Sequence, residues 1–125
     1  MLFRSMLPER SDTRSAHLAT HSFLDDMLRA GVKVYFYKAG FLHSKLLLVD
    51  DELACIGSAN FDFRSFEHNF EVNAFVYHHP FALEMKQMFM DDLKNCETVY
   101  PVQWLNRPLT KRLIESFMRL FSPLL

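Results

Sequence analysis

The sequence has few cysteines, no long hydrophobic stretch and almost no net charge. Its two cysteines, Cys55 and Cys96, form no paired motif, so they do not indicate a disulfide framework, and a reducing compartment is the default expectation. No apolar run approaches the ~20 residues that a helix needs to span a bilayer. The formal net charge of -1 creates no overall field that would favour nucleic acid as a partner.

The opening residues, MLFRSMLPER, carry charge where a secretory signal peptide has its hydrophobic region. The sequence therefore predicts no signal peptide, and contact with a membrane would be peripheral or would depend on an anchor outside this sequence. The length of 125 residues fits a single domain over 1–125. A domain of this size buries roughly two-thirds of the surface that its unfolded chain exposes.

Apolar periodicity predicts three helices. The first begins at a cap formed by Ser11 or Asp12 and ends at Gly31, and the second covers 80–96 with Pro80 in its first turn. The third covers 109–125 and is amphipathic. Its apolar side carries Leu109, Leu113, Phe117, Leu120 and Phe121, and its opposite side carries Lys111, Arg112, Glu115 and Arg119. This apolar side either packs on the core or lies on anionic lipid, and Trp104 either fills a core pocket or anchors at an interface.

Alternating and β-branched or aromatic runs predict four strands, over 32–37, 41–49, 52–57 and 69–77. Asp50 and Asp51 lie between the second and the third of these strands. Asp favours tight turns because its side chain bonds to nearby backbone, so the two strands are expected to form a hairpin. The order of helix, strand, hairpin, strand and helix indicates a layered α/β fold.

His43 and Lys45 interrupt the apolar strand FLHSKLLLV. Side chains at i and i+2 of a strand point the same way, so these two are expected to share a face. The surrounding leucines suggest a sheet covered on both faces, where a lysine is costly without a partner anion. An edge-strand surface pair is the ordinary explanation for one such pair. The functional explanation is that the two side chains face a cleft that binds a charged ligand.

A phosphodiester would satisfy both groups. Lys45 supplies fixed positive charge, and His43 can act as nucleophile or proton carrier because its pKa lies near neutrality. Downstream, Gly57 permits a close backbone approach, while the Ser58 hydroxyl and the Asn60 amide could hold phosphate oxygens as charge builds. A histidine nucleophile also needs a carboxylate to fix its tautomer, and Glu71 is the candidate.

The complete pattern is more specific than the pair. It reads H-x-K-x-x-x-x-D, six residues, then G-S-x-N, and comprises His43, Lys45, Asp50, Gly57, Ser58 and Asn60. This pattern resembles the HKD signature of the phospholipase D superfamily. The segments PERSD, AGVKVYFYKAGFLHSK, GSANFDFRSFEHNFEVNAFVY and RLIESFMRLFSPLL are similar to the C-terminal half of bacterial cardiolipin synthases.

The resemblance implies a mixed β-sheet flanked by helices, an α-β-α sandwich, and an active site in which two HKD motifs meet. One histidine attacks phosphorus to form a phosphohistidine, and the other protonates the leaving alkoxide. In bacterial cardiolipin synthases the donor and the acceptor are both phosphatidylglycerol, and glycerol leaves. The resemblance implies no metal and no organic cofactor, and it places the full-length protein at the bacterial cytoplasmic membrane.

Residue by residue, the resemblance makes His43 the HKD histidine and Lys45 the phosphate-holding lysine. Asp50 matches the HKD aspartate and is interpreted as holding the turn. Ser58 and Asn60 match the phosphate-binding donors. Glu71 matches the carboxylate that orients the histidine.

Only one HKD motif is present, and the opening residues resemble the interior of a longer chain. The sequence is therefore expected to be a soluble or peripheral fragment that needs a second HKD half, from the same longer chain, from a second copy or from a separate protein. Alone, it is expected to have little or no synthase activity. The alternatives are a phosphodiesterase or nuclease of the same superfamily, and an inactive half that binds lipid or a partner.

Two further features have ordinary explanations. His17 and His21 have a spacing that can hold a metal, but no acidic or cysteine partner completes a site, and a solvated helix face is the better interpretation. Asp62 and Arg64 could pair with each other or shape a substrate mouth, and a structural role is favoured.

Overall fold

Short strands alternate with helices along the computed structural model, which describes residues 3–10 and 13–122. The elements found in those ranges are β1 (Arg4–Pro8), α1 (Arg14–Arg29), β2 (Lys33–Tyr37), β3 (Leu46–Val49), β4 (Leu53–Gly57), α2 (Phe63–Glu67), β5 (Asn73–Tyr77), α3 (His79–Asp92), β6 (Cys96–Thr98), α4 (Pro101–Leu105) and α5 (Leu109–Arg119). The described strands form two three-stranded sheets. The predicted mixed α/β fold is confirmed.

Tertiary contacts divide the chain into two compact units. One unit runs up to Leu42 and resumes at Cys96, and the other covers His43–Asn95. The first unit contains the sheet β1-β2-β6, in which β1 is parallel and β6 antiparallel to β2. The second contains the antiparallel sheet β3-β4-β5. Each unit thus combines one small sheet with its own helices.

The core of the first unit lies between α1 and its sheet. Leu24 and Leu28 of α1 are buried with Val34 and Val99, and Trp104 packs against this cluster. The indole of Trp104 therefore fills a core position, which decides between the two roles predicted for it. Burial of such side chains stabilises the unit by about 25 cal/mol for each Å² of apolar surface removed from water.

The first helix begins later than the sequence indicated. Thr13 is its N-cap, and the Thr13 Oγ1 accepts a hydrogen bond of 3.2 Å from the Ala16 N–H. The predicted caps, Ser11 and Asp12, lie outside the described residues. Gly31 follows the helix with a φ of +83°, a left-handed conformation that glycine adopts without steric cost.

Strands β1 and β6 and helices α2 and α4 were not predicted. Their short length explains this, since the periodicity of three to five residues cannot be distinguished from that of a loop. Pro101 opens α4, where its missing N–H has no helical partner to lose.

Helix α5 packs on α1 through its charged side. Glu115 is 5% exposed and accepts a 2.9 Å hydrogen bond from Arg107 Nη1. Arg112 pairs with Asp25 at 3.3 Å and Arg119 with the second aspartate of α1, Asp26, at 2.8 Å. The alternative in which the apolar side of this helix packs on the core is therefore wrong.

The hairpin of the second unit turns through the residue pair that the sequence indicated. Asp50 and Asp51 have φ of 49° and 59°, and the Glu52 N–H donates to the Val49 carbonyl at 3.1 Å. Two successive residues with positive φ form the turn type whose twist matches that of a hairpin, and Asp tolerates this conformation better than most residues. The predicted hairpin is confirmed.

Helix α3 lies against β3, β4 and β5. Ala82 of α3 and Ala54 of β4 are both buried. Leu47 and Phe75 lie on the other face of this sheet, each opposite Cys55, and both are exposed. The prediction that the sheet is covered on both faces is therefore wrong for these residues. Among the helices of the described ranges, none is long and apolar enough to cross a bilayer.

Candidate functional site

His43 and Lys45 lie in an irregular segment just before β3, not inside a strand as predicted. The Lys45 carbonyl still accepts a hydrogen bond of 3.3 Å from the Gly57 N–H, so backbone pairing continues one residue beyond β3. The strand ladder ends there, and the alternation of side chains expected from the sequence does not apply at His43. The His43 side chain is exposed, whereas Lys45 is half-buried.

A hydrogen bond to the backbone of His43 holds the Lys45 ammonium beside that residue. Lys45 Nζ donates a 2.7 Å hydrogen bond to the His43 carbonyl oxygen. A charged donor to a carbonyl at this distance is a strong hydrogen bond. The contact fixes positive charge next to the residue that carries the imidazole.

Gly57 is required for the close approach of β4 and the segment that leads into β5. A Cβ at Gly57 would lie 2.1 Å from Asn73 Oδ1 and 2.3 Å from the Val72 carbonyl oxygen. The Ser58 N–H donates to that same Val72 carbonyl at 3.0 Å. The close approach predicted for Gly57 therefore exists, but what approaches is the protein's own chain.

Ser58 and Glu71 are joined side chain to side chain. The Ser58 hydroxyl donates a 2.5 Å hydrogen bond to Glu71 Oε2 and accepts one of 3.0 Å from the Val72 N–H. Asn69 Nδ2 donates to the other carboxylate oxygen of Glu71 at 3.2 Å. The two oxygens of Glu71 thus each have a donor, which favours the ionised carboxylate.

The pKa of the Glu71 carboxyl is lowered by these neighbours. The hydrogen bond from Ser58 has the largest effect, followed by those from Asn69 and Ser65, and the positive charge of Lys45 adds to them. Lys45 is therefore close enough to Glu71 to interact with it electrostatically. The structure brings Lys45, Ser58 and Glu71 into one polar region.

Asn60 begins the loop that leads into α2. Its backbone N–H donates to Ser65 Oγ at 3.1 Å, and its side chain is exposed. Asp62 is the N-cap of α2 and accepts from the Ser65 N–H at 2.7 Å, while Arg64 Nε donates to Asn69 Oδ1 at 3.3 Å. Asp62 and Arg64 thus stabilise the local backbone through different partners, in keeping with the structural role favoured for them.

Asp50 lies at the hairpin turn, exposed and with positive φ. Its neighbour Asp51 makes the contacts to α3. Both Asp51 carboxylate oxygens bind Lys86 Nζ, at 2.7 and 2.8 Å, and the Asp51 carbonyl lies 2.8 Å from His79 Nδ1. The interpretation of Asp50 as a turn residue stays a prediction, and its position in the turn supports it.

Sequence reasoning did not identify Asn69 and Asn73. Asn69 binds Glu71, and Asn73 Oδ1 accepts from the Ala59 N–H at 3.4 Å. The spacing of Asn69 and Glu71, two apart, is a signal that could have indicated the first contact. Nothing near Asn73 in the sequence could have indicated the second, because the contact depends on how β4 and β5 are paired.

The two histidines of α1 contact each other, and His21 lies against two residues that pack on the core of the first unit. The His17 and His21 rings are 3.9 Å apart, and His21 packs against Phe36 and Trp104. Its Nδ1 lies 3.6 Å from Glu115 Oε1. The interpretation of a solvated helix face is therefore wrong for His21. The described ranges contain no group of three or more His, Cys, Asp or Glu side chains suited to a metal ion.

Comparison with known proteins assigns the chain to a family. Residues 4–93 match the family described as cardiolipin synthase, phospholipase D-like domain. This match covers well over half of the chain, so the chain belongs to the phospholipase D-like family of cardiolipin synthases. The expected family is confirmed.

Individual relatives agree with the family match. Over 122 residues the chain is 47% identical to a cardiolipin synthase of Geobacillus sp. (strain WCH70), and over the same length 45% identical to cardiolipin synthase 2 of Bacillus cereus. It is 43% identical to cardiolipin synthase 1 of Staphylococcus aureus (strain COL) over 120 residues. These matches cover 96% to 98% of this chain but only 24% of each relative, so the chain spans about a quarter of their length. No solved structure gives a significant match.

Proposed function

We propose that this chain supplies one HKD half of a phosphatidyltransferase of the cardiolipin synthase type. The observation that supports this most directly is the 2.7 Å hydrogen bond from Lys45 Nζ to the His43 carbonyl. It holds a fixed positive charge beside a histidine, and a phosphodiester anion requires that combination for nucleophilic attack on phosphorus. The family and its relatives, named cardiolipin synthases, indicate the reaction class.

The proposed reaction has two steps. An imidazole nitrogen of His43 attacks the phosphorus of one phosphatidylglycerol, and the bond from phosphorus to the glycerol head-group oxygen breaks. The glycerol alkoxide takes a proton from the histidine of a second HKD half. A hydroxyl of a second phosphatidylglycerol then gives its proton to that second histidine and attacks the phosphohistidine, which releases cardiolipin and free His43. Two phosphatidylglycerols thus give one cardiolipin and one glycerol.

The polar residues around His43 are proposed to have separate roles. Lys45 and the Asn60 amide are proposed to bind the phosphate oxygens, where positive charge and N–H donors stabilise the trigonal bipyramidal transition state. Ser58 donates to Glu71 at 2.5 Å, so in this geometry its hydroxyl holds the carboxylate. Glu71, kept ionised by Ser58 and Asn69, is proposed to fix the tautomer of His43.

The second half is a required partner in this proposal. One histidine cannot act both as the nucleophile and as the acid in the same step, so the reaction needs a second HKD motif. A longer chain or a second copy of this one could supply it.

The experiment uses a graft. This chain replaces the 122 matched residues of the Geobacillus relative, and the product is incubated with phosphatidylglycerol vesicles beside the isolated chain. We expect the graft to form cardiolipin and glycerol and the isolated chain to form little or none. His43→Ala in the graft should abolish turnover. His78→Asn, which replaces an exposed histidine at the N-cap of α3 with another good cap residue, is the matched control.

Three results would overturn the proposal. Phosphatidic acid and glycerol as the main products would mean that water is the acceptor, as in a phosphodiesterase. Turnover that survives His43→Ala would show that His43 is not the nucleophile. A folded graft with no turnover would favour an inactive half that binds lipid or a partner.

A further inference from the structure

Ser65 of α2 is a buried polar residue without a role in the proposed reaction. It is 6% exposed, and together with Glu115 it makes up the buried polar residues of the described ranges. A buried polar group needs a hydrogen-bond partner within the protein, because bulk water does not reach it. The partners of Ser65 therefore show what this residue holds in place.

Ser65 binds the loop that leads into α2 through its backbone and its side chain. The Ser65 N–H donates to Asp62 Oδ1 at 2.7 Å, and Ser65 Oγ accepts from the Asn60 N–H at 3.1 Å. Both contacts are partly buried, which limits competition from water. The loop that carries the exposed side chain of Asn60 is thus fixed to the first turn of α2.

The chain returns past the same turn after α2 ends. The Asn69 N–H donates to the Arg64 carbonyl at 2.9 Å, and Arg64 Nε donates to Asn69 Oδ1 at 3.3 Å. A guanidinium can only donate, so it selects the oxygen of the Asn69 amide and leaves the nitrogen for another partner. That nitrogen donates to Glu71 Oε1 at 3.2 Å. The residues around Ser65 therefore also hold the segment of Glu71.

The Ser65 hydroxyl contributes to the same carboxylate. A serine hydroxyl keeps one proton to donate when its oxygen accepts an N–H, as it does here from Asn60. The pKa of Glu71 is lowered most by Ser58 and then by Asn69, and a hydrogen bond from Ser65 lowers it further. One buried hydroxyl thus joins the backbone of Asn60 to the side chain of Glu71.

We propose that Ser65 is a positioning residue, which holds the loop of Asn60 and the carboxylate of Glu71 in fixed relation to each other. The inference rests on the proposed function, in which Asn60 binds phosphate oxygens and Glu71 orients His43. Ser65 itself contacts neither the phosphate nor His43 in this proposal, so it acts through its two partners. Such support matters because small displacements of reacting groups lower the rate steeply.

The first measurement needs no turnover. In the 125-residue chain, Ser65→Ala should raise the pKa of Glu71 toward 4.5, by less than Ser58→Ala does, as followed by NMR titration. Hydrogen exchange of the Asn60 backbone N–H should become about tenfold faster, since the variant removes its acceptor. Ser22→Ala, which removes a partly buried hydroxyl that donates to the backbone of α1 at 2.6 Å, is the matched control and should change neither quantity.

The second measurement uses the graft into the Geobacillus relative. Ser65→Ala should lower kcat by about tenfold and change KM by less than about twofold, because the groups that it holds act mainly on the transition state. Ser65→Thr keeps the hydroxyl and should recover most of the lost kcat. Ser22→Ala should keep the kcat of the parent graft. A purely structural role for Ser65 would lower the thermal stability and leave both kcat and the pKa of Glu71 unchanged.

The inference would be overturned by a folded Ser65→Ala chain in which the titration of Glu71 is unmoved, or by a Ser65→Ala graft with the kcat of the parent. If Ser65→Ala does not fold, the parent chain still decides. An Asn60 backbone N–H that exchanges as fast as in an unfolded peptide would overturn the inference, and a protected one would support it. A folded parent graft without turnover would instead overturn the proposed function, and the titration would still show whether Ser65 holds Glu71.

Discussion

The hydroxyl of Ser58 donates a 2.5 Å hydrogen bond to Glu71 Oε2, across thirteen residues of sequence. The sequence pattern suggested that Ser58 and Glu71 act on a phosphate and on a histidine separately. Their contact shows that the two side chains form one unit, in which the serine holds the carboxylate ionised. The proton of the Ser58 hydroxyl is used within the protein, so Lys45 and Asn60 supply the donors proposed for a phosphate.

The first prediction concerns this contact. Ser58→Ala removes the largest cause of the lowered pKa of Glu71, so that pKa should rise toward its ordinary value of 4.5. A carboxyl whose pKa is lower in the folded state contributes stability above its unfolded pKa, and this stability is lost as pH falls through the folded pKa. Titration of the Glu71 side-chain carbon by NMR measures the change. Ser44→Ala, at an exposed serine of the same irregular segment, should leave the titration unmoved, and an unmoved titration in Ser58→Ala would contradict the role of the contact.

The second prediction concerns Gly57. Gly57→Ala places a Cβ within 2.3 Å of Asn73 Oδ1 and the Val72 carbonyl oxygen. One of these is a backbone atom of the segment entering β5, so relief requires movement of the chain, and we expect a loss of about 3 kcal/mol in the free energy of unfolding. Gly40→Ala, where no atom lies within 4 Å of the new Cβ, should change it by no more than about 0.5 kcal/mol. Urea unfolding followed by circular dichroism provides both values, and equal values would refute the close approach.

The third prediction separates a turn role from a chemical role for Asp50. Its φ of 49° is tolerated by Asn as well as Asp, but a β-branched residue is strained there. Asp50→Asn should therefore keep both stability and the turnover of the grafted enzyme, whereas Asp50→Val should lower the free energy of unfolding by about 1–2 kcal/mol. A stable Asp50→Asn graft without turnover would show that the Asp50 carboxylate takes part in the reaction.

The fourth prediction concerns pH and His21. Burial, and then the positive charges of His17, Arg107 and Lys111, lower the pKa of His21 from 6.5 to about 4. The unfolded chain then takes up a proton before the folded chain as pH falls. The stability of the first unit should be complete above pH 6.5 and decline by about 3 kcal/mol as pH falls toward 4.

Trp104 makes this measurement specific. It is the single tryptophan of the chain, and its ring lies 5.0 Å from that of His21. Urea unfolding followed by tryptophan fluorescence at pH 7, 5.5 and 4.5 therefore reports on the unit that contains His21. His21→Gln should flatten the pH dependence. Identical slopes for the parent and the variant would show that another group is responsible.

The sequence predicted well what depends on neighbours along the chain. The hairpin followed from two apolar runs around Asp50 and Asp51, and helix α1 followed from its periodicity and the glycine that ends it. The motif from His43 to Asn60 led to the family because its spacing is a property of sequence. The short elements were missed, since three to five residues carry too little periodicity.

Contacts between distant segments could not be predicted in the same way. The register of β4 and β5 brings Gly57 opposite Asn73, and no local pattern specifies that pairing. The same register aligns Ser58 with the segment of Glu71. His21 was interpreted as solvated because periodicity does not show that Trp104 and Phe36 pack on it.

The sequence by itself determined the hairpin, the motif from His43 to Asn60 and the family to which the chain belongs. Each of these depends on residue types at short spacing along the chain. Only the tertiary structure decided that the Ser58 hydroxyl donates to the Glu71 carboxylate and that the arginines of α5 turn toward α1 and pair with Asp25 and Asp26. The physical reason is that a helical pattern specifies two faces but not which of them is inward. That choice depends on ion pairs with α1, which lies more than eighty residues earlier in the sequence.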